Sequence, residues 1–351
     1  MVVSVIKCKT ERTEEFFRAP MLGQPLLIAE AGVAHFGSLE RAFELVDMAF
    51  EADFDCVKFQ HFNIDLLVHR QQAQFWYDRL SDRCLRDEEI IEVAAYATKR
   101  GIAFACTGHE LQALKFLNEN IELPFIKLGS GEWRNLELLD YGITTDLPIL
   151  ISTGMHSHGD VSYIERYCGE KASNPKRIFF LNCVTDYPTL LADVNLGFLQ
   201  EKILGSPYIW GHSDHCESNL ACISAITLGA RIIERHIALE RDTPNAQDWR
   251  VSSMPDNANS FVRECRDIFS ALENSKKPTE EEVLSREWAA KSPYVTGDKV
   301  VGEVLTKADI QFVRPYFGTS PMEISDLFGM PVSRTYKDGD AFDIDLNKEK
   351  P

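Results

Sequence analysis

The chain has 351 residues, 44% of them hydrophobic and 26% charged, which is the balance of an ordinary globular protein with a buried core. Its 54 acidic and 37 basic residues give a formal net charge of −17, which argues against nucleic acid or an anionic membrane as a partner. No apolar run approaches the roughly 20 residues that cross a membrane, so we expect no membrane partner either.

The cysteines and the N-terminus indicate the compartment. Nine cysteines are present, an odd number, and none forms a C-x-x-C pair. Cys56 and Cys106 lie inside apolar runs, which is typical of buried reduced thiols and not of a disulfide framework or a zinc ribbon. The apolar start of the chain is too short, and the residues after it are too charged, for a signal peptide. We therefore expect a cytoplasmic protein.

Short apolar runs alternate along the chain with segments of helical period. In the first of these segments Leu39, Phe43, Val46 and Phe50 recur every three or four residues. Apolar strands joined through helices predict a parallel sheet, and eight such units favour a (β/α)8 TIM barrel. A doubly wound open sheet is the alternative, but no strand is followed by the G-x-G-x-x-G of dinucleotide-binding folds. The predicted strands are residues 26–32, 56–60, 102–108, 124–130, 147–154, 177–183, 208–213 and 231–237.

The character of the sequence changes after about residue 275. We predict an N-terminal extension over residues 1–20, a catalytic barrel over 21–275 and a charged linker or connecting helix over 276–290. Residues 291–351 hold short β-like runs with Gly and Asp turn signals, which predicts a small β-rich domain.

Polar and charged residues recur at the carboxyl ends of the predicted strands. Burying a charge without a partner is costly, and barrel enzymes carry their chemistry at this end, so the recurrence predicts an active site. The residues at these ends are Glu30, Lys58, Gln60, Thr107, Lys127, Ser130, Glu132, Thr185, Tyr187, Ser213, Asp214, His215, Glu234 and His236.

Two histidines follow neighbouring strands. His215 and His236 would approach one divalent cation, with water or substrate oxygens completing an open coordination shell. The alternative is that each imidazole bonds a backbone carbonyl. By the alternation of side chains along a strand, His212 points away from this pair, and we expect it to be structural.

Two lysines could form an anion pocket. Lys58, Lys127 and Ser130 would bind a phosphate or carboxylate, helped by the backbone amides of the Gly-Ser-Gly turn. Alternatively, the lysines pair with Glu30 or Glu132, or Lys58 forms a Schiff base as in aldolases. The two glutamates are the candidates for acid–base catalysis.

The chain resembles the sialic acid synthases (N-acetylneuraminate synthases and their nonulosonate-forming relatives) in a set of ordered motifs. They are AEAGVAHFG, VKFQ, KLGSGEWRN, STGM, CVTDYPT, DVNL, GHSDH and ERHIAL, between about residues 26 and 255. The segments VVGEVLTKADIQFVRP and LFGMPVSRTYKDGDAF are similar to the antifreeze-like (SAF) domain of those enzymes.

This resemblance implies condensation of phosphoenolpyruvate with an N-acylhexosamine, giving a sialic acid-type nonulosonic acid and phosphate. It implies a divalent cation, Mn²⁺ or Mg²⁺, held by His215 and His236, with Glu30 and Glu132 in acid–base roles. The residues implied to bind phosphoenolpyruvate are Lys58, Thr107, Lys127, Ser130, Thr185 and Ser213. Those implied on the sugar side are Gln60, Tyr187 and Asp248.

Family members are dimers in which the SAF domain of one subunit covers the barrel mouth of the other. The resemblance therefore implies a domain-swapped homodimer in which Arg314 reaches the acyl group of the sugar in the partner's site.

The chain departs from the family's motifs at Ala34, Gly108, Thr185 and Trp249, mostly on the sugar side. A bulkier wall there predicts a modified hexosamine as the acceptor. Two other functions stay open: a Schiff-base aldolase that uses Lys58 or Lys127, and a non-catalytic sugar-binding relative. The second is disfavoured because a binding protein does not need the complete set of lysines, glutamates and histidines.

Overall fold

The computed structural model describes residues 12–17, 23–132, 134–243, 248–272, 276–317 and 319–343. Contacts between Cα atoms separate two compact units, Met1–Glu273 and Asn274–Pro351. The strands of the first unit are β1 (Leu26–Gly32), β2 (Cys56–His61), β3 (Ala103–Gly108), β4 (Ile126–Leu128), β5 (Ile149–Ser152), β6 (Ile178–Cys183), β7 (Ile209–Asp214), β8 (Ile232–Ile237) and β9 (Ser252–Ser253). Its α-helices are α1 (residues 12–17), α2 (Leu39–Glu51), α3 (Ile64–Leu67), α4 (Gln74–Ser81), α5 (Asp87–Arg100), α6 (Leu111–Asn120), α7 (Leu136–Thr144), α8 (His158–Lys171), α9 (Leu196–Gly205), α10 (Leu220–Leu228) and α11 (Ala258–Ala271).

The eight long strands form a nearly closed parallel barrel. Hydrogen bonds join them in the order β3-β2-β1-β8-β7-β6-β5-β4, and β3 lies against β4. The predicted barrel is thereby confirmed, and the open doubly wound sheet is wrong. The prediction over residues 124–130 was too long, because Gly129 begins a turn in which its carbonyl accepts a 3.0 Å hydrogen bond from the amide of Glu132.

Side chains alternate between two apolar layers along each strand. On β1, Leu27 and Ala29 belong to the core between the barrel and the helices, while Leu26 and Ile28 belong to the core inside the barrel. The next inward residue, Glu30, is buried and charged. Because parallel strands end at the same edge, this alternation collects inward polar residues at one end of the barrel.

The other end of the barrel interior is covered by α1. Phe17 lies 5.5 Å from Phe125 and 5.4 Å from Phe179 between ring centroids, and Phe16 is buried in the same cluster. Thr13 adds a 3.1 Å hydrogen bond from its hydroxyl to the carbonyl of Asp55. This part of the expected N-terminal extension therefore contributes to the core of the barrel.

The second unit has its own small core. Helix α12 (Glu280–Ala289) lies in the stretch predicted as a linker or connecting helix, and β10 (Ser292–Val295) pairs antiparallel with β11 (Ile310–Val313). The buried apolar residues of this unit are Val295, Leu305, Ile310, Ile324, Val332, Tyr336 and Phe342.

Two further expectations concern the whole chain. Among the described residues, every cysteine is free and only Cys84 is not buried, in agreement with the expected reduced thiols. No helix in the described ranges is long and apolar enough to cross a membrane.

Gly108, one of the departures from the family's motifs, has no room for a side chain. A Cβ at this position would lie 2.6 Å from the backbone nitrogen and Cα of Leu114 in α6. We expect Gly108→Ala to destabilise the protein by about 1–3 kcal/mol in urea denaturation, because the helix must shift. Gly197→Ala is the control, since nothing lies within 4 Å of its Cβ position. Equal stability of the two variants would contradict this packing.

Candidate active site

A cavity of about 170 Å³ lies at the carboxyl ends of the barrel strands. Every strand from β1 to β8, or the loop that follows it, contributes to its wall. The lining residues are Glu30, Lys58, Gln60, Thr107, His109, Lys127, Gly129, Ser130, Gly131, Ser152, Met155, Cys183, Thr185, Tyr187, Ser213, His215, Glu234 and His236. Most of the predicted site residues are thus brought together in one place.

Lys58 is the centre of a buried ion-pair network. Its side chain is 2% exposed, and its ammonium pairs with the carboxylate of Glu30 and lies 3.4 Å from that of Glu234. Burial by itself would lower the pKa of Lys58, but the two carboxylates outweigh burial and the pKa is raised. Gln60 donates a 2.8 Å hydrogen bond to the other oxygen of Glu30, and the ammonium lies 3.4 Å from the hydroxyl of Thr107. Lys58 therefore stays charged.

Lys127 is the second buried cation. Its ammonium donates to the hydroxyl of Ser152 at 2.7 Å and lies 3.8 Å from Glu234. Burial lowers the pKa of Lys127, and the attraction of Glu234 offsets this only in part. The pKa of Glu234 is lowered to about 2 because Lys127, Lys58 and a 2.7 Å hydrogen bond from Ser213 outweigh burial. Two lysines thus share a cavity with two carboxylates, and a bound anion would stabilise both cations.

The turn after β4 presents polar groups to the same cavity. The hydroxyl of Ser130 accepts a 3.0 Å hydrogen bond from the amide of Gly154, and His156 contacts the carbonyl of Ser130 at 2.9 Å. A side chain at Gly154 would collide with the hydroxyls of Ser130 and Thr185. The glycine therefore lets the loops after β4, β5 and β6 converge on one wall.

His215 and His236 meet at the mouth of the barrel. Their ring centroids are 5.3 Å apart, and Tyr187 packs against His215 at 4.0 Å. The Nδ1 of His215 lies 2.6 Å from the carbonyl of Val184 and 3.9 Å from the sulfur of Cys183. That carbonyl contact fixes the ring and leaves Nε2 as the nitrogen for a ligand.

His212, Asp214 and Arg235 form a second polar layer behind the cavity wall. His212 contacts the carbonyl of Asn182 at 3.0 Å and Asp214 at 3.4 Å. The guanidinium of Arg235 pairs with Asp214 and donates at 2.7 Å to the carbonyl of Cys216. Burial would raise the pKa of Asp214, but the hydrogen bond and charge of His212 and the charge of Arg235 hold it well below its usual range. These outward residues join β7 to β8.

Four predicted residues do not line the cavity, and the first of them is Asp214 of the outward layer. Glu132 lies beside the cavity, with its carboxylate 2.9 Å from the Nδ1 of His109. Asp248 lines a smaller neighbouring pocket together with Trp249 and Ala34. Arg314 belongs to the C-terminal unit, where its guanidinium lies 5.5 Å from the centre of the Trp288 ring.

Comparison with known proteins shows to which family this chain belongs. The model of the NeuB family matches residues 45–277. The chain is 32% identical over 330 residues to the N,N'-diacetyllegionaminic acid synthase of Legionella pneumophila, covering 89% of this chain and 92% of that enzyme. The chain belongs to the NeuB family.

Two further proteins are similar to this chain. The chain is 30% identical over 333 residues to the N-acetylneuraminate-9-phosphate synthase of Homo sapiens, covering 90% of each protein. The crystal structure of the N-acetylneuraminic acid synthetase of Leptospira borgpetersenii in complex with citrate superposes with a TM-score of 0.67 at 25% identity, covering 75% of this chain and 90% of that one. The predicted resemblance is therefore confirmed.

Three polar cavity residues of this NeuB-family chain, Ser152, Cys183 and His109, were absent from the predicted site. Ser152 and Cys183 face the cavity by the same alternation that places their strand neighbours, so stepping two residues from Leu150 and Leu181 would have found them. His109 follows β3 directly, but no pattern in the sequence connects it with Glu132. That contact depends on the loops after β3 and β4.

Proposed function

We propose that this protein condenses phosphoenolpyruvate with an open-chain N-acylhexosamine, giving a nonulosonic acid and phosphate. The observation that carries the proposal is the buried pair of lysines, Lys58 and Lys127, in one small cavity beside the Ser130 turn. A multiply charged anion of phosphoenolpyruvate's size matches that donor set. The names of the synthases in its family support the same reaction.

The residues divide the work between the two substrates. Lys58, Lys127 and Ser130 would hold the phosphate and carboxylate of phosphoenolpyruvate, with Thr107 and Ser213 adding hydroxyl donors. C3 of phosphoenolpyruvate then attacks the sugar aldehyde, water adds at C2, and phosphate leaves by cleavage of its bond to C2. The cavity walls hold the two carbons in contact and keep other water away.

The sugar side has a second set of groups. Glu30 and Gln60, hydrogen-bonded to each other at 2.8 Å, and Tyr187 would bind the hydroxyls of the acceptor, with Asp248 beyond them.

The two histidines suit a divalent cation. Among the described residues no group of three or more His, Cys, Asp or Glu side chains is placed to hold a metal ion. A site made by His215 and His236 would consequently leave most coordination positions to water and substrate oxygens, and Mg²⁺ commonly keeps several waters in protein sites. When bound, Mn²⁺ or Mg²⁺ would polarise the aldehyde oxygen.

The acceptor is proposed to be a modified hexosamine. Ala34 and Trp249 line the small pocket next to Asp248, so two of the four departures from the family's motifs lie together. The likeness to a legionaminic acid synthase supports this choice. Best turnover with plain N-acetylmannosamine in a panel of hexosamines would refute it.

The SAF-type character of the C-terminal unit, the homodimer, the role of Arg314 and the cytoplasmic location stay predictions from the sequence. The small antiparallel sheet of that unit supports the first of them.

The proposed reaction is tested by phosphate release from phosphoenolpyruvate. We expect release to require an N-acylhexosamine, to stop with EDTA, and to return with Mn²⁺. His236→Ala should lose at least about 100-fold in kcat, because a cation that stabilises developing charge is worth several kcal/mol. His158→Ala, at an exposed pair with Glu201, is the control. EDTA-resistant turnover together with a borohydride-trapped lysine adduct would favour the Schiff-base aldolase instead.

A further inference from the structure

The cavity needs a group that accepts a proton, and its carboxylates are poorly suited to this. Glu234 lies 3.4 Å from Lys58 and 3.8 Å from Lys127, and it accepts a 2.7 Å hydrogen bond from Ser213. Glu30 pairs with Lys58 and accepts a hydrogen bond from Gln60. Both carboxylates are thus already engaged in ion pairs and hydrogen bonds within the chain.

The other titratable side chains that line the cavity have different tasks. Tyr187 packs against the ring of His215, with the ring centroids 4.0 Å apart. His215 and His236 are the proposed metal ligands, and Cys183 contacts His215. His109 is the imidazole that remains, and histidine is the side chain that most often transfers protons in enzyme active sites.

His109 is held in a defined orientation. Its amide donates a 3.2 Å hydrogen bond to the carbonyl of His61, which continues the pairing of β2 with β3. Its ring meets Phe62 edge-on at 5.9 Å, and its Nδ1 lies 2.9 Å from a carboxylate oxygen of Glu132. The side chains of His109 and Glu132 are 19% and 15% exposed, so water screens their interaction only in part. The Nε2 has no hydrogen-bond partner among the described residues.

The other charged groups around His109 are already engaged. Glu110, the next residue, caps α6 by accepting from the amides of Gln112 and Ala113. The ring of His61 pairs with Asp87 at 2.9 Å. Glu132 is therefore the carboxylate that acts on His109.

We propose that His109 is a catalytic acid–base residue of this cavity and that Glu132, placed behind it, is its positioning residue. This inference rests on the proposed function. Glu132 accepts the Nδ1 proton and so fixes the tautomer in which the lone pair of Nε2 is free for substrate, as carboxylate–imidazole pairs do in other enzymes. The acid–base role expected for Glu132 thus passes to the histidine in front of it.

The proton inventory of the reaction gives His109 one task. The attacking water forms a bond from its oxygen to C2 and gives one proton to Nε2. The imidazolium, balanced by Glu132, returns that proton to the phosphate oxygen as the C2–O bond breaks. The second proton of the water goes to the oxygen that was the sugar aldehyde, so the products are the keto acid and hydrogen phosphate.

Chemical rescue tests the proposal. We expect His109→Ala to lose at least about 100-fold in kcat, the usual size of a general acid–base contribution, with the KM for phosphoenolpyruvate changed less than about threefold. Added imidazole should restore at least about tenfold of the loss, because it can occupy the vacated space and exchange the proton. Glu132→Gln should lower kcat about tenfold and should not respond to imidazole.

Two controls make the result decisive. His158→Ala removes an exposed histidine with the same kind of contact, 2.8 Å to Glu201, and should behave as wild type with and without imidazole. His109→Asn keeps a donor to Glu132 but cannot exchange a proton, so it should remain as slow as His109→Ala. Activity of His109→Asn near that of wild type, or no rescue of a folded His109→Ala, overturns the proposal. Phosphate release by the wild type tests the proposed function separately. If the wild type releases no phosphate, the condensation is refuted. If both the wild type and His109→Ala release phosphate at the same rate, only the inference about His109 is refuted.

Discussion

Replacing Lys58 by Met is expected to abolish most activity and to destabilise the fold. The change removes the cation that pairs with Glu30 and lies 3.4 Å from Glu234, all of them almost fully buried. Breaking a buried ion pair on one side costs about 3–5 kcal/mol, because the remaining charge has no compensation. The kcat/KM for phosphoenolpyruvate should fall by roughly 100-fold to 1,000-fold, or about 3–4 kcal/mol of transition-state stabilisation.

Two comparisons separate stability from catalysis in this experiment. Lys202→Met removes another buried lysine, whose ammonium lies 2.6 Å from Glu165 in the helix layer, and it should cost stability without changing kcat. Adding Glu30→Gln to Lys58→Met leaves one ion pair in the cavity, Lys127 with Glu234 at 3.8 Å. That double variant should regain stability in urea and stay inactive. A Lys58→Met enzyme with normal kcat/KM would remove Lys58 from the proposed anion site.

The barrel was predictable because each strand has apolar residues on both of its faces and polar residues at its carboxyl end. In β8 the residues Ile232, Glu234 and His236 face the barrel interior, and Ile233 and Ile237 face the helices. A run that is apolar on both faces predicts a strand buried in a parallel sheet. The helix α1 carries no such signal, because a single turn or two of helix with adjacent phenylalanines has neither a strand nor a clear helix period.

The candidate site was predictable as far as strand positions determine it. Register places Glu30 next to Lys58 on one side and next to His236 on the other, so their proximity follows from strand order alone. No comparable rule predicts which side chains of two different loops lie in contact. The 2.9 Å contact between His109 and Glu132, and the position of Asp248 in a neighbouring pocket, depend on backbone conformations that alternation does not determine.

His212 shows how one rule separates two similar residues. It lies three positions before His215, and residue type alone does not distinguish the roles of the two histidines. The alternation of β7 turns Ser213 into the cavity and His212 outward, where it contacts Asn182 and Asp214. The expected structural role of His212 therefore has a specific content: it supports the carboxylate that pairs with Arg235.

That outward layer gives the second large expected effect. Asp214→Asn keeps the shape of the side chain but leaves the buried guanidinium of Arg235 without its anion. We expect a loss of about 3 kcal/mol in the free energy of unfolding at neutral pH, at the lower end for broken buried pairs because the carbonyl of Cys216 still accepts from Arg235. Asp256→Asn, at the exposed pair with Arg241, should leave the urea midpoint unchanged.

The pH dependence of this effect has a definite sign. The pKa of Asp214 is depressed in the folded protein, and an unfolded Asp titrates near about 4, so its stabilisation is complete above that pH and is lost as the pH falls further. The difference in unfolding free energy between wild type and Asp214→Asn should therefore be constant from pH 7 to 5 and shrink toward pH 3. A difference that stayed constant to pH 3 would mean that the carboxylate is not what Arg235 requires. Since Ser213, His215 and His236 lie on the inner side of β7, of the residue that follows it and of β8, loss of this pair should also weaken binding of the proposed substrate phosphoenolpyruvate and of the proposed divalent cation before the barrel unfolds.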